Sequence, residues 1–146
     1  RVKSSAAAPT PYFLQALFDA TNREQLNWGG FRMPADYGSS PVMVVQYKMA
    51  SATTGGVAFE GRLAATTPGD STDVDAKAYA SANTNTDTVP GTAGHLDTVS
   101  ITLTNADSLA AGDLVFAHLA REPSNGSDTA TGDAEVVSVT ITYTTA

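Results

Sequence analysis

Three aspartates and two hydroxyl side chains crowd one short stretch of this chain: Asp70, Ser71, Thr72, Asp73 and Asp75. Hard oxygens gathered this way are what a calcium ion takes as ligands. The stretch lacks the glycine and terminal glutamate of an EF-hand loop, so Asp70, Asp73 and Asp75 are weak calcium candidates beside the plainer reading of a solvated acidic loop. Asn125, Ser127, Asp128 and Asp133 form a second, weaker group of the same kind. With only His95 and His118 and no cysteine, a zinc site would need carboxylates to complete it. His118 shares strand parity with Leu114 and Phe116 and reads as a histidine at a core edge or an interface. Serine, histidine and acid are all present, but no Gly-x-Ser-x-Gly elbow presents a nucleophile. Glycoside hydrolysis needs two carboxyl groups across a cleft, and Glu60, Glu122 and Glu135 fall on strands or strand ends without a pairing pattern. No catalytic set emerges, no cofactor is implied, and the expectation is a protein without enzymatic activity. Tyr12, Trp28, Tyr37, Tyr47 and Tyr79 could include a platform on which a sugar ring stacks. The plainer reading puts Trp28 and Tyr47 in the core and lets Tyr37 and Tyr79 cover loops.

The whole-chain balance narrows the partners. A length of 146 residues is one domain's worth, enough to bury roughly two-thirds of the surface of the unfolded chain. Charged residues make up 16% of the sequence, against the usual ~25%, and alanine and threonine take their place. No apolar run reaches the ~18 residues that a membrane-spanning helix needs, and no membrane partner is expected. The absence of cysteine removes disulfides and thiolate chemistry, so a small β-domain must be held by its core or by partners. The net charge of −7 is uneven: residues 1–67 carry six Lys/Arg and four Asp/Glu, and residues 68–146 carry two and eleven. An acidic body repels phosphates, so no nucleic-acid partner is expected.

The elements that would position these residues are strands. From Val99 to Thr104, Val99, Ile101 and Leu103 alternate with Ser100, Thr102 and Thr104; from Ala134 to Thr144, Val137, Val139, Ile141 and Tyr143 alternate with Ser138, Thr140, Thr142 and Thr144. Strict alternation with β-branched residues predicts half-buried strands. Further strands are expected over Tyr12–Asp19, Gln25–Phe31 with a bulge at Gly29-Gly30, Val42–Met49, Val57–Ala65 and Asp113–Glu122, with a weak region over Ala76–Thr88. Val42–Met49 is nearly continuous in apolar residues, which predicts a central strand covered on both faces. Asn105 is placed to cap a short helical turn through Leu109, with Gly112 free to take a positive φ. Trp28, Val44, Phe59, Val99, Ile101, Phe116, Val139 and Ile141 are the expected core. The fold class is all-β: an antiparallel two-sheet jelly-roll sandwich over residues 12–146, preceded by an extended N-terminal arm over residues 1–11. The arm holds Arg1, Val2, Lys3, Pro9 and Pro11, has no hydrophobic period, and is expected to serve assembly.

The segments Val89-Pro-Gly-Thr-Ala-Gly94, Ile101-Thr-Leu-Thr-Asn-Ala-Asp-Ser-Leu-Ala-Ala-Gly-Asp113 and Ser124-Asn-Gly-Ser-Asp-Thr-Ala-Thr-Gly-Asp133 resemble a jelly-roll module of tailed-phage virion structural proteins. The likeness extends to Phe31-Arg-Met-Pro-Ala-Asp-Tyr37 and Thr66-Thr-Pro-Gly-Asp70. The resemblance implies a virion structural protein, assembled in the host cytoplasm and carried on an extracellular particle. A capsid decoration or other head-surface role is favoured because the chain is one module with a leading arm. Its partners would be other virion proteins, such as the major capsid protein, and copies of itself, with a trimer expected from the resemblance. The alternative is a carbohydrate-binding or receptor-binding β-sandwich module of a tail tip or a secreted protein.

Overall fold

The computed structural model describes residues 2–3 and 11–146. Among the described residues there are ten strands: β1 Val2–Lys3, β2 Phe13–Leu14, β3 Ala16–Phe18, β4 Gln25–Arg32, β5 Tyr37–Met49, β6 Gly56–Thr66, β7 Asn83–Thr88, β8 Asp97–Thr102, β9 Leu114–Arg121 and β10 Ala134–Thr145. They form two four-stranded antiparallel sheets, ordered β3-β10-β5-β8 and β4-β9-β6-β7, and a small β1-β2 pair. The fold is an all-β sandwich, as the alternation requires. From β3 onward the chain crosses to the other sheet at every connection except β6–β7. Of the arm residues, Arg1 and Pro9 lie outside the described residues. Val2 and Lys3 form the strand that pairs with Leu14 and Phe13, and Pro11 is exposed.

The inward faces of both sheets meet in one core of Met43, Val45, Tyr47, Phe59, Leu63, Val99, Ile101, Val115 and Leu119, all essentially sealed from solvent. Aromatic side chains organise its centre: Phe59 lies edge-on to Tyr47 at 5.3 Å and tilted to Phe18 at 6.3 Å. The Tyr47 hydroxyl donates to Asp87 across the sandwich at 2.9 Å. Burial and that aspartate push the phenol far above its ordinary value, so it stays a donor.

Two expected core residues face the other way. Phe116 is on the outer face of β9, where its ladder neighbours are Gly29 and Ala64. A Cβ at Gly29 would lie 2.5 Å from the Phe116 ring, so the glycine opens the slot that holds this side chain. The inward set of β9 is instead Val115, Ala117, Leu119 and Arg121. Val44 likewise points outward from β5 and is half-buried, so this central strand is sealed on one face only. Trp28, Val139 and Ile141 pack against the core but are only partly buried.

Three loops depart from expectation. No helix follows Asn105: Asp107 and Ser108 take positive φ, which breaks a helical turn, and Gly112 takes φ +87° as anticipated. A short 3-10 turn instead occupies Val74–Ala76, with the Asp73 carboxylate accepting from the Asp75 N–H. β5 starts at Tyr37, five residues before the strand expected over Val42–Met49.

The buried Arg121 holds one end of the sandwich together. Its guanidinium donates twice to Asp128, at 3.0 and 2.8 Å, and to the carbonyls of Phe18, Ala130 and Gly132. A fork of fixed donors on a carboxylate with its remaining protons satisfied is the arrangement in which a buried arginine is tolerated. It ties the loop between β9 and β10 to the end of β3.

Candidate functional site

Alternation gives the two sheets different outer faces. On β10-β5-β8 the ladder sets three rows side by side: Thr142–Val42–Thr102, Thr140–Val44–Ser100 and Ser138–Gln46–Thr98. No ionisable side chain falls in these rows. β10 also borders a second feature, an open mouth between the sheets where Val139, Ile141 and Tyr143 face Trp28 and Phe31 of β4 across two adjoining apolar hollows of about 490 and 450 Å³. Among the described residues, the pairing of β10 with β3 ends at Val136, so the stretch from Val137 onward is paired through β5 alone. At the opposite edge the sandwich is closed by polar bonds, such as the Asn85 amide to the Ser100 carbonyl at 2.8 Å.

The next row of the first face holds the Glu135–Lys48 ion pair; the outer face of β4-β9-β6 gathers a larger cluster of charge. Asn27, His118 and Arg62 make one row and Gln25, Ala120 and Glu60 the next. Ala120 is small and fully buried, which leaves room for Arg23 to lie over it. The Arg23 guanidinium donates to Glu60 at 3.0 Å, to Gln25 at 3.1 Å and to Glu122, and reaches His118 Nε2 at 3.2 Å. Arg62 donates to the same Glu60 oxygen. His118 Nδ1 is 2.8 Å from Asn27 Oδ1. Because Nε2 faces an arginine donor, Nδ1 carries the proton and the ring is neutral. Burial, helped by Arg23, lowers the His118 pKa in the same direction. Burial works to raise the Glu60 pKa, but the Arg62 hydrogen bond and the charges of Arg62 and Arg23 hold it below its ordinary value. The Tyr79 ring closes one side of the basin, 5.5 Å from the His118 ring, and the whole depression measures about 550 Å³.

No family model, curated protein or solved structure matches this chain. The site is therefore read from its own geometry.

Of the candidates singled out by sequence, Glu60, Tyr79, His118 and Glu122 meet in the basin, and the others are dispersed. Asp70 accepts from the Thr72 N–H at 2.8 Å and Asp73 from the Asp75 N–H at 3.0 Å, so these carboxylates shape their own turns. Among the described residues no three His, Cys, Asp or Glu side chains come together to hold a metal. Asp128, of the second group, is committed to Arg121 and to the Ala58 N–H. His95 is exposed on a turn. Glu60 and Glu122 do approach one another, bridged by Arg23, while Glu135 is buried against Lys48 on the other sheet. An ionised Glu60 is the opposite of the protonated general acid that glycosidic cleavage requires. Of the five aromatics, Tyr12 is exposed, Trp28 lines the mouth, Tyr37 packs on Tyr143 at 5.4 Å, Tyr47 is sealed in the core, and Tyr79 alone stands at the polar basin. Sequence reasoning missed Arg23, Gln25, Asn27 and Arg62. The available signal was the pair of polar alternations, Gln25-x-Asn27 and Glu60-x-Arg62, in a chain otherwise poor in charge.

Proposed function

We propose that this protein is a non-enzymatic structural subunit of a virion surface, working by association with copies of itself and by docking on other virion proteins. One observation carries the reading: three adjacent uncharged rows on the outer face of β10-β5-β8, beside a row whose charges, Glu135 and Lys48, pair with each other. A chain of net charge −7 can meet its own copy closely only where no like charges are brought together. Threonine, serine and valine cost little to desolvate, and among the described residues β10 beside this face is paired on one side only beyond Val136, which leaves backbone groups for a neighbouring strand. The occupant of the face is thus a second copy of this chain. Closed cyclic symmetry would cover every such edge, and the trimer rests on the resemblance to phage jelly rolls. The virion setting rests on the same resemblance, and the crossing of the chain between sheets supports the jelly-roll reading. Sedimentation equilibrium of the purified protein, with the contacts seen in an assembled particle, tests the proposal. A defined oligomer whose copies meet along β10 is expected. A protein that is monomeric in solution and touches no copy of itself when assembled would overturn it.

A further inference from the structure

The polar basin on the opposite sheet has no part in that association. The geometry points to a binding site for a neutral saccharide, with a pyranose ring laid against Tyr79 and its hydroxyls held by Gln25, Asn27, Arg62 and Glu122. Four observations converge on this ligand class.

The first is size. About 550 Å³ lies inside the range of about 300–1,000 Å³ typical of small-molecule sites. The second is charge. Arg23 and Arg62 stand against Glu60 and Glu122, and the histidine between them is neutral, so the basin balances its own charge. An anion would have to displace a carboxylate already bonded to arginine, and a cation would have to displace an arginine. Nucleic acid would bring phosphates to an acidic protein.

The third is the orientation of donors. The Gln25 carbonyl oxygen accepts from Arg23, and the Asn27 carbonyl oxygen accepts from His118. Each side-chain amide is thereby fixed through its oxygen, and both residues line the basin. With the guanidinium of Arg62 and the carboxylate of Glu122, the lining supplies both donors and acceptors. A sugar hydroxyl donates and accepts at once, and vicinal hydroxyls repeat that pairing at adjacent positions. Groups already locked by one another lose little freedom when a ligand arrives.

The fourth is the ring. Tyr79 is half-buried, tilted 52° to the His118 imidazole, with its hydroxyl 3.4 Å from the Ala117 carbonyl oxygen. Held at both places, it is a fixed apolar wall beside polar groups, which suits the C–H face of a pyranose. The inference stands apart from self-association, since it uses the other sheet.

Titration of the 15N-labelled protein with maltotriose, cellotriose and tri-N-acetylchitotriose tests the site, with glucuronate and sulfate as anionic comparisons. At least one neutral sugar should shift the side-chain NH2 signals of Gln25 and Asn27 with a Kd on the order of 1 mM or tighter. Tyr79→Phe should keep that affinity within about two-fold, whereas Tyr79→Ala should weaken it about ten-fold or more. Asn27→Ala, at an exposed position, should weaken it as well and covers the case in which Tyr79→Ala does not fold. The proposal is overturned if no neutral sugar moves these signals, if sulfate or glucuronate binds more tightly than every neutral sugar, or if the affinity survives both Tyr79→Ala and Asn27→Ala.

Discussion

The two outer faces of this sandwich are built by the same rule and carry opposite chemistry. On β10-β5-β8 three adjacent outward rows hold threonine, serine, valine and glutamine, and the row beyond holds Lys48 neutralised by Glu135. On β4-β9-β6 they are Asn27, Gln25, Glu60, Arg62 and His118, roofed by Arg23 and flanked by Tyr79. In a chain with 16% charged residues this segregation is a use of scarce charge. Uncharged rows can lie flat against a copy of themselves, because they bring no repulsion and little desolvation cost. A face of interlocked ions and amides resists such packing, since each group would have to leave water and find a new partner. The same fixed groups suit a small polar ligand, which supplies the hydrogen bonds that water otherwise makes. On the proposed reading, one sheet meets protein and the other a small soluble ligand.

The largest expected effects come from what lies between and behind the faces. Phe59→Ala empties the centre of the core and should cost ~3–5 kcal/mol of stability, whereas Phe116→Ala, in its outer slot over Gly29, should cost about 1 kcal/mol. Equal losses in thermal or urea unfolding would mean that β9 has the other parity, which would also remove His118 from the basin. Arg121→Ala belongs with Phe59→Ala. It strands Asp128 and three carbonyls without their donor and should cost ~3–5 kcal/mol.

A smaller effect separates the faces by pH. His118 is held neutral in the fold below its ordinary pKa of 6.5, so the folded state binds fewer protons than the unfolded one. Its contribution to stability is complete above 6.5 and is lost progressively as the pH falls below it. Glu60, depressed from an ordinary 4.5, adds stability that is complete above 4.5 and is lost as the pH falls further through its folded value. The melting temperature should therefore fall in two stages on acidification, and His118→Gln should remove the first. Thr140→Lys, in the uncharged rows of the other face, should leave both stages in place. If His118→Gln left the upper stage unchanged, the basin would not be the pH-sensitive face.

Much of the fold was legible because alternation is local. Ser100-Thr102 against Val99-Ile101, or Thr140-Thr142 against Val139-Ile141, declares both the strand and its faces within a few residues. Parity failed where the deciding neighbour is remote in sequence: Phe116 points outward because Gly29, on another strand, makes room for it. Arg121 lay hidden for a related reason, since a charge at the end of a strand reads as a boundary until the chain folds Asp128 back onto it. The basin was the least legible feature. Gln25, Asn27, Glu60, Arg62 and His118 meet only through the register of three strands, and Tyr79 arrives from the loop between β6 and β7. The acidic loop showed the converse, for Asp70 and Asp73 are close in sequence yet serve separate turns.

The central claim, that the face with the uncharged rows is the one that meets a second copy, is tested most directly by placing one lysine on each face and comparing masses by sedimentation equilibrium. Thr140→Lys and Gln25→Lys both substitute exposed strand positions; the first should change folding stability by no more than about 0.5 kcal/mol, and the second, which sets a second cation beside Arg23, by about 1 kcal/mol. The account predicts an oligomeric parent, an oligomeric Gln25→Lys variant and a monomeric Thr140→Lys variant. A monomeric parent, or a Thr140→Lys variant that stays assembled while Gln25→Lys falls apart, would contradict it.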